Sequence, residues 1–245
     1  MGSVPLVIAI DGPAGAGKST AAANLARRLG LIHLNSGALF RAVGLTAHHS
    51  GVDLTDDAAC AKIARSLHFE FTVDGGGRSQ LLVNGRSIDV ELRSPLASEL
   101  SSRMGVLPSV RDVLLNVQRE IAARSSFAAD RSEGNPSKRS RGGVVVEGRD
   151  AGTVVFPDAP IKFYLDASPE VRAKRRATET GEDEDDVLRQ ALERDARDMS
   201  RAVAPLAASA DAVRLDTSDL NAAEVIDKMV AILKERRLIQ DPDPS

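Results

Sequence analysis

The chain has 245 residues, 42% of them hydrophobic, which is enough for one well-buried core with room for a small inserted lobe. A formal net charge of −3, one tyrosine, six phenylalanines and no tryptophan argue against a general nucleic-acid or membrane-surface binder, and aromatic platforms for stacking bases are scarce. The single cysteine, Cys60, excludes an internal disulfide. No apolar run approaches the roughly 18 residues of a membrane span, and Met1-Gly2-Ser3 runs into the first strand without a signal-type segment, so the expected place is the cytoplasm and the expected state a monomer.

Val4 to Ile10 reads as a short buried strand, and it ends in Asp11-Gly12-Pro13-Ala14-Gly15-Ala16-Gly17-Lys18-Ser19-Thr20. This is the P-loop pattern G-x-x-x-x-G-K-[ST], and Ser19 to Leu29 supplies the helix it requires, with Ala22, Leu25, Ala26 and Leu29 at helical spacing. Gly12, Gly15 and Gly17 let the backbone curl until successive N–H groups point inward, and the helix N-terminus adds its positive end. Residues Gly12 to Thr20 are therefore expected to cradle a polyphosphate, with Lys18 on the β- and γ-phosphates and the Ser19 hydroxyl on Mg²⁺.

Leu31 to Leu34 is a second short strand, followed by the turn Asn35-Ser36-Gly37 and a helix from Ala38; Asp53 to Ser66 is a further helix. The period then changes to two. His68 to Val73, Gln80 to Val83 and Ser87 to Val90, separated by Asp74-Gly75-Gly76-Gly77 and Asn84-Gly85, predict successive hairpins. Helices follow at Ser94 to Met104 and Ser109 to Arg124, divided by Pro108. Ser125 to Gly143 lacks an apolar period and is expected to be a mobile loop, in which Lys138, Arg139 and Arg141 read as a solvated linker or a phosphate-attracting arm. Val144 to Val146, Ile161 to Leu165 and Ala212 to Leu215 are buried-type strands, Ala222 to Arg237 is a closing helix, and the residues from about 239 to 245 form a disordered tail. Strands alternating with helices predict an open parallel sheet covered on both faces.

Arginines gather on turns and early helices: Arg41, Arg111, Arg149, Arg175, Arg176, Arg194, Arg197 and Arg201. Guanidinium suits bidentate recognition of phosphate. In Glu193 to Arg201, helical spacing puts Arg194, Asp198 and Arg201 within about 60° of one another, with Leu188, Leu192 and Met199 as a separate packing stripe. An exposed helix laced with ion pairs gives the same spacing. Arg172, Lys174, Arg175 and Arg176 precede Gly181 and the acids Glu182 to Asp186, which fits either helix-dipole compensation or a lid bringing Arg175 or Arg176 onto phosphates.

The P-loop, Asn35 to Arg41, Glu147 to Pro160 and Arg201 to Leu206, taken together, resemble the bacterial cytidylate (CMP) kinase family from about Val4 to Leu238. The resemblance implies a P-loop NTPase-type α/β fold: a five-stranded parallel sheet with helices on both faces, an inserted NMP-binding lobe containing a small antiparallel sheet, and a lid. On this chain the core would be residues 1–66 and 105–238, the lobe 67–104, the lid about 172–190 and the mobile loop 125–143. It implies ATP as donor, Mg²⁺ as cofactor and CMP or dCMP as acceptor. Ser36 and Arg41 would lie at the CMP site, Arg41, Arg149 and Arg201 would grip the acceptor phosphate, and Arg194 and Asp198 would hold the ribose hydroxyls. Ser102, Arg111 and Asp150 would read cytosine, whose amino donor suits a carboxylate and whose acceptors suit a guanidinium. Lys18, Arg41, Arg149, Arg201, Arg175 and Arg176 are the expected catalytic cations, and Ser19 with Glu147 the expected metal-side oxygens.

The chain departs from the family pattern at Asn35, where aspartate is common, at Phe40, where tyrosine is common, and in the long segment from Ser125 to Gly143. Rival readings are a kinase for UMP or AMP, differing only in the base pocket, and a nucleotide-binding switch, for which no Asn-Lys-x-Asp motif is present.

Overall fold

The computed structural model describes residues 5–128, 142–201 and 203–240. The basic residues Lys138, Arg139 and Arg141, most of the 125–143 segment and the end of the expected tail lie outside the described residues. The larger sheet has five strands, β1 (Leu6–Asp11), β2 (Ile32–Asn35), β6 (Gly143–Glu147), β7 (Ile161–Asp166) and β8 (Val213–Asp216), in the order β2-β6-β1-β7-β8. β1 to β7 and β7 to β8 are parallel, with Ile10 opposite Phe163 and Phe163 opposite Val213. A separate antiparallel sheet joins β3 (Phe69–Val73), β4 (Ser79–Val83) and β5 (Arg86–Ser87). The expected parallel sheet and small antiparallel sheet are both present.

Two compact units divide the chain. One is built on Gly30–Val146. Its helices are α2 (Ser36–His49), α3 (Asp57–Ser66), α4 (Pro95–Met104) and α5 (Pro108–Ala128). Leu39, Val43, Leu100, Met104, Val110 and Leu114 are fully buried, and α2 packs on α4 and α3 on α5. Local chemistry sets the helix starts: Asn35 accepts from Ala38 N, Asp56 from Ala59 N and Ser94 from Ala97 N. Asp57 reaches across to the first turn of α5, accepting from Ser109 N and Val110 N.

Several boundaries differ from the sequence reading: α3 starts at Asp57, not Asp53, the closing helix ends at Glu235, short of Arg237, and two larger differences have a physical cause. The last hairpin strand is only Arg86–Ser87, because Glu91–Arg93 winds into a short 3₁₀ turn ahead of α4. α5 runs on to Ala128, past the expected end at Arg124 and into the segment expected to be a loop. Ser125 is 4% exposed and returns its hydroxyl to Ala122 O, so a small polar residue extends the helix instead of ending it.

The other unit combines Leu6–Leu29 with Glu147–Ser245. Its helices are α1 (Lys18–Leu29), α6 (Pro169–Thr180), α7 (Glu184–Met199) and α8 (Ala222–Glu235). Ile8, Ile10, Phe163 and Leu165 from the strands and Leu25 and Met229 from the helices form its core. Among the described residues no helix is long and apolar enough to cross a membrane.

Candidate active site

β1 delivers the chain to Gly12, whose φ of +147° and position against β7 both demand glycine: a Cβ there would lie 2.0 Å from Leu165 O. The loop then turns into α1. Gly15 to Ala21 form one wall of an open hollow of about 370 Å³, completed by Arg175, Arg176, Thr217, Leu220, Asn221, Ala222 and Val225. The expected polyphosphate cradle therefore opens onto a space of nucleotide size.

Lys18 is 6% exposed and donates from Nζ to Pro13 O at 2.6 Å. Burial pushes its ammonium well below the usual lysine range, and the positive charges of Arg149 and Arg194 push the same way, against Glu147 and Asp11. An ammonium taken out of water beside other positive charges gains most from an anion. Beside it the Ser19 hydroxyl donates to Glu147 Oε2 at 2.7 Å, and Glu147 is 4% exposed. Two hard oxygens at the mouth of a phosphate loop suit Mg²⁺, which takes one or two protein oxygens and completes its shell with water and phosphate. The residues present therefore fit the expected metal.

After β6 the chain makes the Gly148-Arg149-Asp150 turn and one wide helical turn at Ala151–Val155, closed by Val155 N to Asp150 O at 3.1 Å and Phe156 N to Ala151 O at 2.8 Å. Asp11, at the end of β1, holds the start of that turn: its carboxylate accepts from Ala151 N and Gly152 N, both at 2.7 Å. Burial raises the Asp11 carboxyl to about 6, with the two N–H bonds and Lys18 opposing and Asp150 adding. The sequence reading missed Asp11. Its one visible signal was a carboxylate at the end of a buried strand, immediately before the loop glycine.

The turn aims Arg149 at α7, where its Nε donates to Asp198 Oδ2 at 2.8 Å while Asp198 also pairs with Arg201. The expected carboxylate between two guanidiniums thus exists, with Arg149 and Arg201 both on Asp198. Arg194 is near enough to Lys18 to affect its charge. The packing stripe expected on α7 is overturned. Leu192 and Met199 are 47% and 54% exposed, and the buried residues are Val187, Ala191, Asp195 and Asp198. Acids are buried there because arginines meet them: Asp195 takes Arg172, and Asp198 takes Arg149 and Arg201.

Arg175 is bound to the loop after β8, donating to Thr217 Oγ1 at 3.1 Å, Thr217 O at 2.5 Å and Leu220 O at 3.3 Å. With Arg176 it walls the hollow that Lys18 also lines. In the Gly30–Val146 unit, Ser36 is buried at the start of α2, and Arg41 lies within that helix, close to Gly37. Ser102 is half-buried on α4. Arg111 donates to Gly105 O at 3.2 Å and stacks over Phe40, 5.8 Å from the ring centroid, so the phenyl ring at this departure from the family pattern still serves as a platform for the guanidinium. At the other departure, the Asn35 side chain is spent on the α2 N-cap at 2.9 Å.

The cytidylate kinase family model matches residues 8–235. The chain belongs to the cytidylate kinase family. It is 41% identical over 236 residues to a cytidylate kinase of Geobacter sulfurreducens, covering 94% of each chain, and 39% identical over 245 residues to that of Pseudomonas putida, covering 98% of this chain and all of the other. A cytidylate kinase of Citrifermentans bemidjiense is 39% identical over 94% of both. Among solved structures, an uncharacterized protein from Eubacterium ventriosum shares the fold at a TM-score of 0.51 and 13% identity, covering 94% of this chain and 98% of that one. In this cytidylate kinase family member, the P-loop, Glu147, Arg149, Asp150 and the acidic face of α7 lie within one unit, and Ser36, Arg41, Ser102 and Arg111 lie in the other.

Proposed function

We propose that the protein transfers the γ-phosphoryl group of ATP to CMP, and to dCMP, giving the nucleoside diphosphate and ADP. The observation that carries the reading is the buried Lys18 ammonium at a P-loop, with Arg149 and Arg194 close enough to act on its charge, in a chain that matches cytidylate kinases along almost its whole length.

Within the loop Gly12 to Thr20, the backbone N–H groups from Gly15 onward hold the donor phosphates, and Lys18 leaves Pro13 O for a phosphate oxygen. Ser19 and Glu147 would hold Mg²⁺, which when bound would neutralise charge on the donor phosphates. Arg41, Arg149 and Arg201 take the acceptor phosphate. Asp198 engages Arg149 through Nε and so helps hold that guanidinium in place. Arg194 and Asp198 take the ribose hydroxyls, and Ser102, Arg111 and Asp150 take cytosine. Arg175 and Arg176 flank the donor. A general base is unnecessary, because the attacking phosphate oxygen is already ionised near neutral pH; the work is alignment and charge neutralisation.

Initial rates of diphosphate formation from CMP, dCMP, UMP and AMP, each with ATP, test the reading. CMP and dCMP should lead, and equal use of all four would defeat the base assignment. Lys18→Ala should lower turnover by about a thousandfold or more while the circular-dichroism spectrum stays that of the parent; near-normal rates would remove Lys18 from the mechanism.

A further inference from the structure

Ala14, in the middle of the phosphate loop, is held on both sides of its residue by side chains from two different helices. Its N–H donates to Asp195 Oδ1 at 3.1 Å, and its carbonyl accepts from Arg172 Nη1 at 2.9 Å. Arg172 comes from α6 and Asp195 from α7, and the two are ion-paired with 6% and 4% of each residue exposed. A third bond, Arg172 Nε to Ala167 O at 3.0 Å, fixes the plane of the guanidinium. The backbone of α6 also seats directly on the loop: a Cβ on Gly15 would stand 3.0 Å from Arg172 Cβ and 3.1 Å from Arg172 O, and Gly15 has φ +77°. Farther along the loop, the Thr217 hydroxyl reaches Ala16 O at 3.5 Å.

A buried ion pair adds little net stability compared with an apolar pair of similar volume, because both charges lose their hydration. What an apolar pair cannot do is present a donor and an acceptor to one residue of backbone. The Ala14 N–H is taken up by Asp195 and so is not offered to a ligand, and its orientation constrains the amides that follow at Gly15 to Lys18. We propose that Arg172 and Asp195 are positioning residues for the donor site: the pair sets the curl of the phosphate loop through Ala14. The roots of α6 and α7 then belong to the loop's scaffold, and lid movement is confined to the stretch beyond Arg175, toward Gly181 and the acidic start of α7. This rests on the reading of the loop as the ATP site.

The test compares Asp195→Asn with the double variant Arg172→Met/Asp195→Leu, measuring melting temperature, ATP affinity by calorimetry without acceptor, and KM for ATP and for CMP. Asp195→Asn should weaken ATP binding and raise its KM by about tenfold, with the CMP KM changed less than twofold. The double variant, freed of buried charge, should regain melting temperature without regaining ATP affinity. Recovery of ATP affinity together with stability would overturn the proposal, as would a fall in kcat with the ATP KM unchanged, or equal movement of both KM values. A wild type that binds ATP but makes no CDP would sink the functional reading alone, since the affinity comparison would still decide the role of the pair. A wild type that binds no ATP would remove both.

Discussion

Asp11 gives the protein a pH signature that can be isolated. Its carboxyl, 3% exposed beneath the Ala151–Val155 turn, titrates at about 6 against an ordinary 3.8. At about 1.4 kcal/mol per pH unit, that displacement is worth about 3 kcal/mol. The folded state holds its proton more tightly than the unfolded chain. The contribution is therefore fully present below about pH 4, declines as pH rises between about 4 and 6, and is absent above the folded value. Other carboxylates titrate in the same range, so the useful quantity is a difference: the unfolding free energy of the wild type minus that of Asp11→Asn, from urea melts between pH 4 and 7.5. Everything common to both proteins cancels, and the difference should fall by about 3 kcal/mol across the window and then level off. A difference that stays flat within about 0.5 kcal/mol, or that rises with pH, would mean that the carboxylate gains more from Ala151 N, Gly152 N and Lys18 than burial takes away.

Asp198→Ala removes the carboxylate that pairs with two guanidiniums, 18% and 12% exposed in their side chains, and should cost about 3 kcal/mol in a urea melt, the low end for a broken buried pair, while also raising the CMP KM. Leu192→Ser with Met199→Ser removes two apolar side chains that the folded state leaves about half exposed; the melting curve should shift by no more than about 0.5 kcal/mol, and a loss of 2 kcal/mol or more would show that this face of α7 is covered in solution.

Much of the fold was legible because its signals are local. A buried β-rich run, a glycine-rich turn and an apolar helical stripe recur in the same order as β1, the phosphate loop and α1, and the period-two segments between His68 and Val83 pair as an antiparallel sheet. The starts of α2 and α4 were readable to within a residue or two, since Asn35 and Ser94 each act on an amide three residues away, whereas α3 begins four residues past the expected Asp53, behind Asp56. The short turn at Glu91–Arg93 and the wide one at Ala151–Val155 were not. The second depends on Asp11, whose carboxylate arrives from 140 residues earlier in the chain.

α7 shows why charge is harder to read than hydrophobicity. Arg194, Asp198 and Arg201 at three- and four-residue spacing look alike on a solvated helix and on a buried one, so spacing alone cannot tell which face turns inward. The usual tiebreak, burying the apolar stripe, gives the wrong answer here. Leu192 and Met199 face out, because Asp195 and Asp198 have partners waiting on other elements: Arg172 on α6 and Arg149 after β6. A cation buried without a counter-charge would be expelled or neutralised, so each of those arginines meets an acid of α7. In a chain of net charge −3, the buried acids Asp11 and Glu147 offset Lys18, Asp195 offsets Arg172, and Asp198 offsets Arg149 and Arg201, so their placement follows from the site's electrostatics where helical periodicity fails.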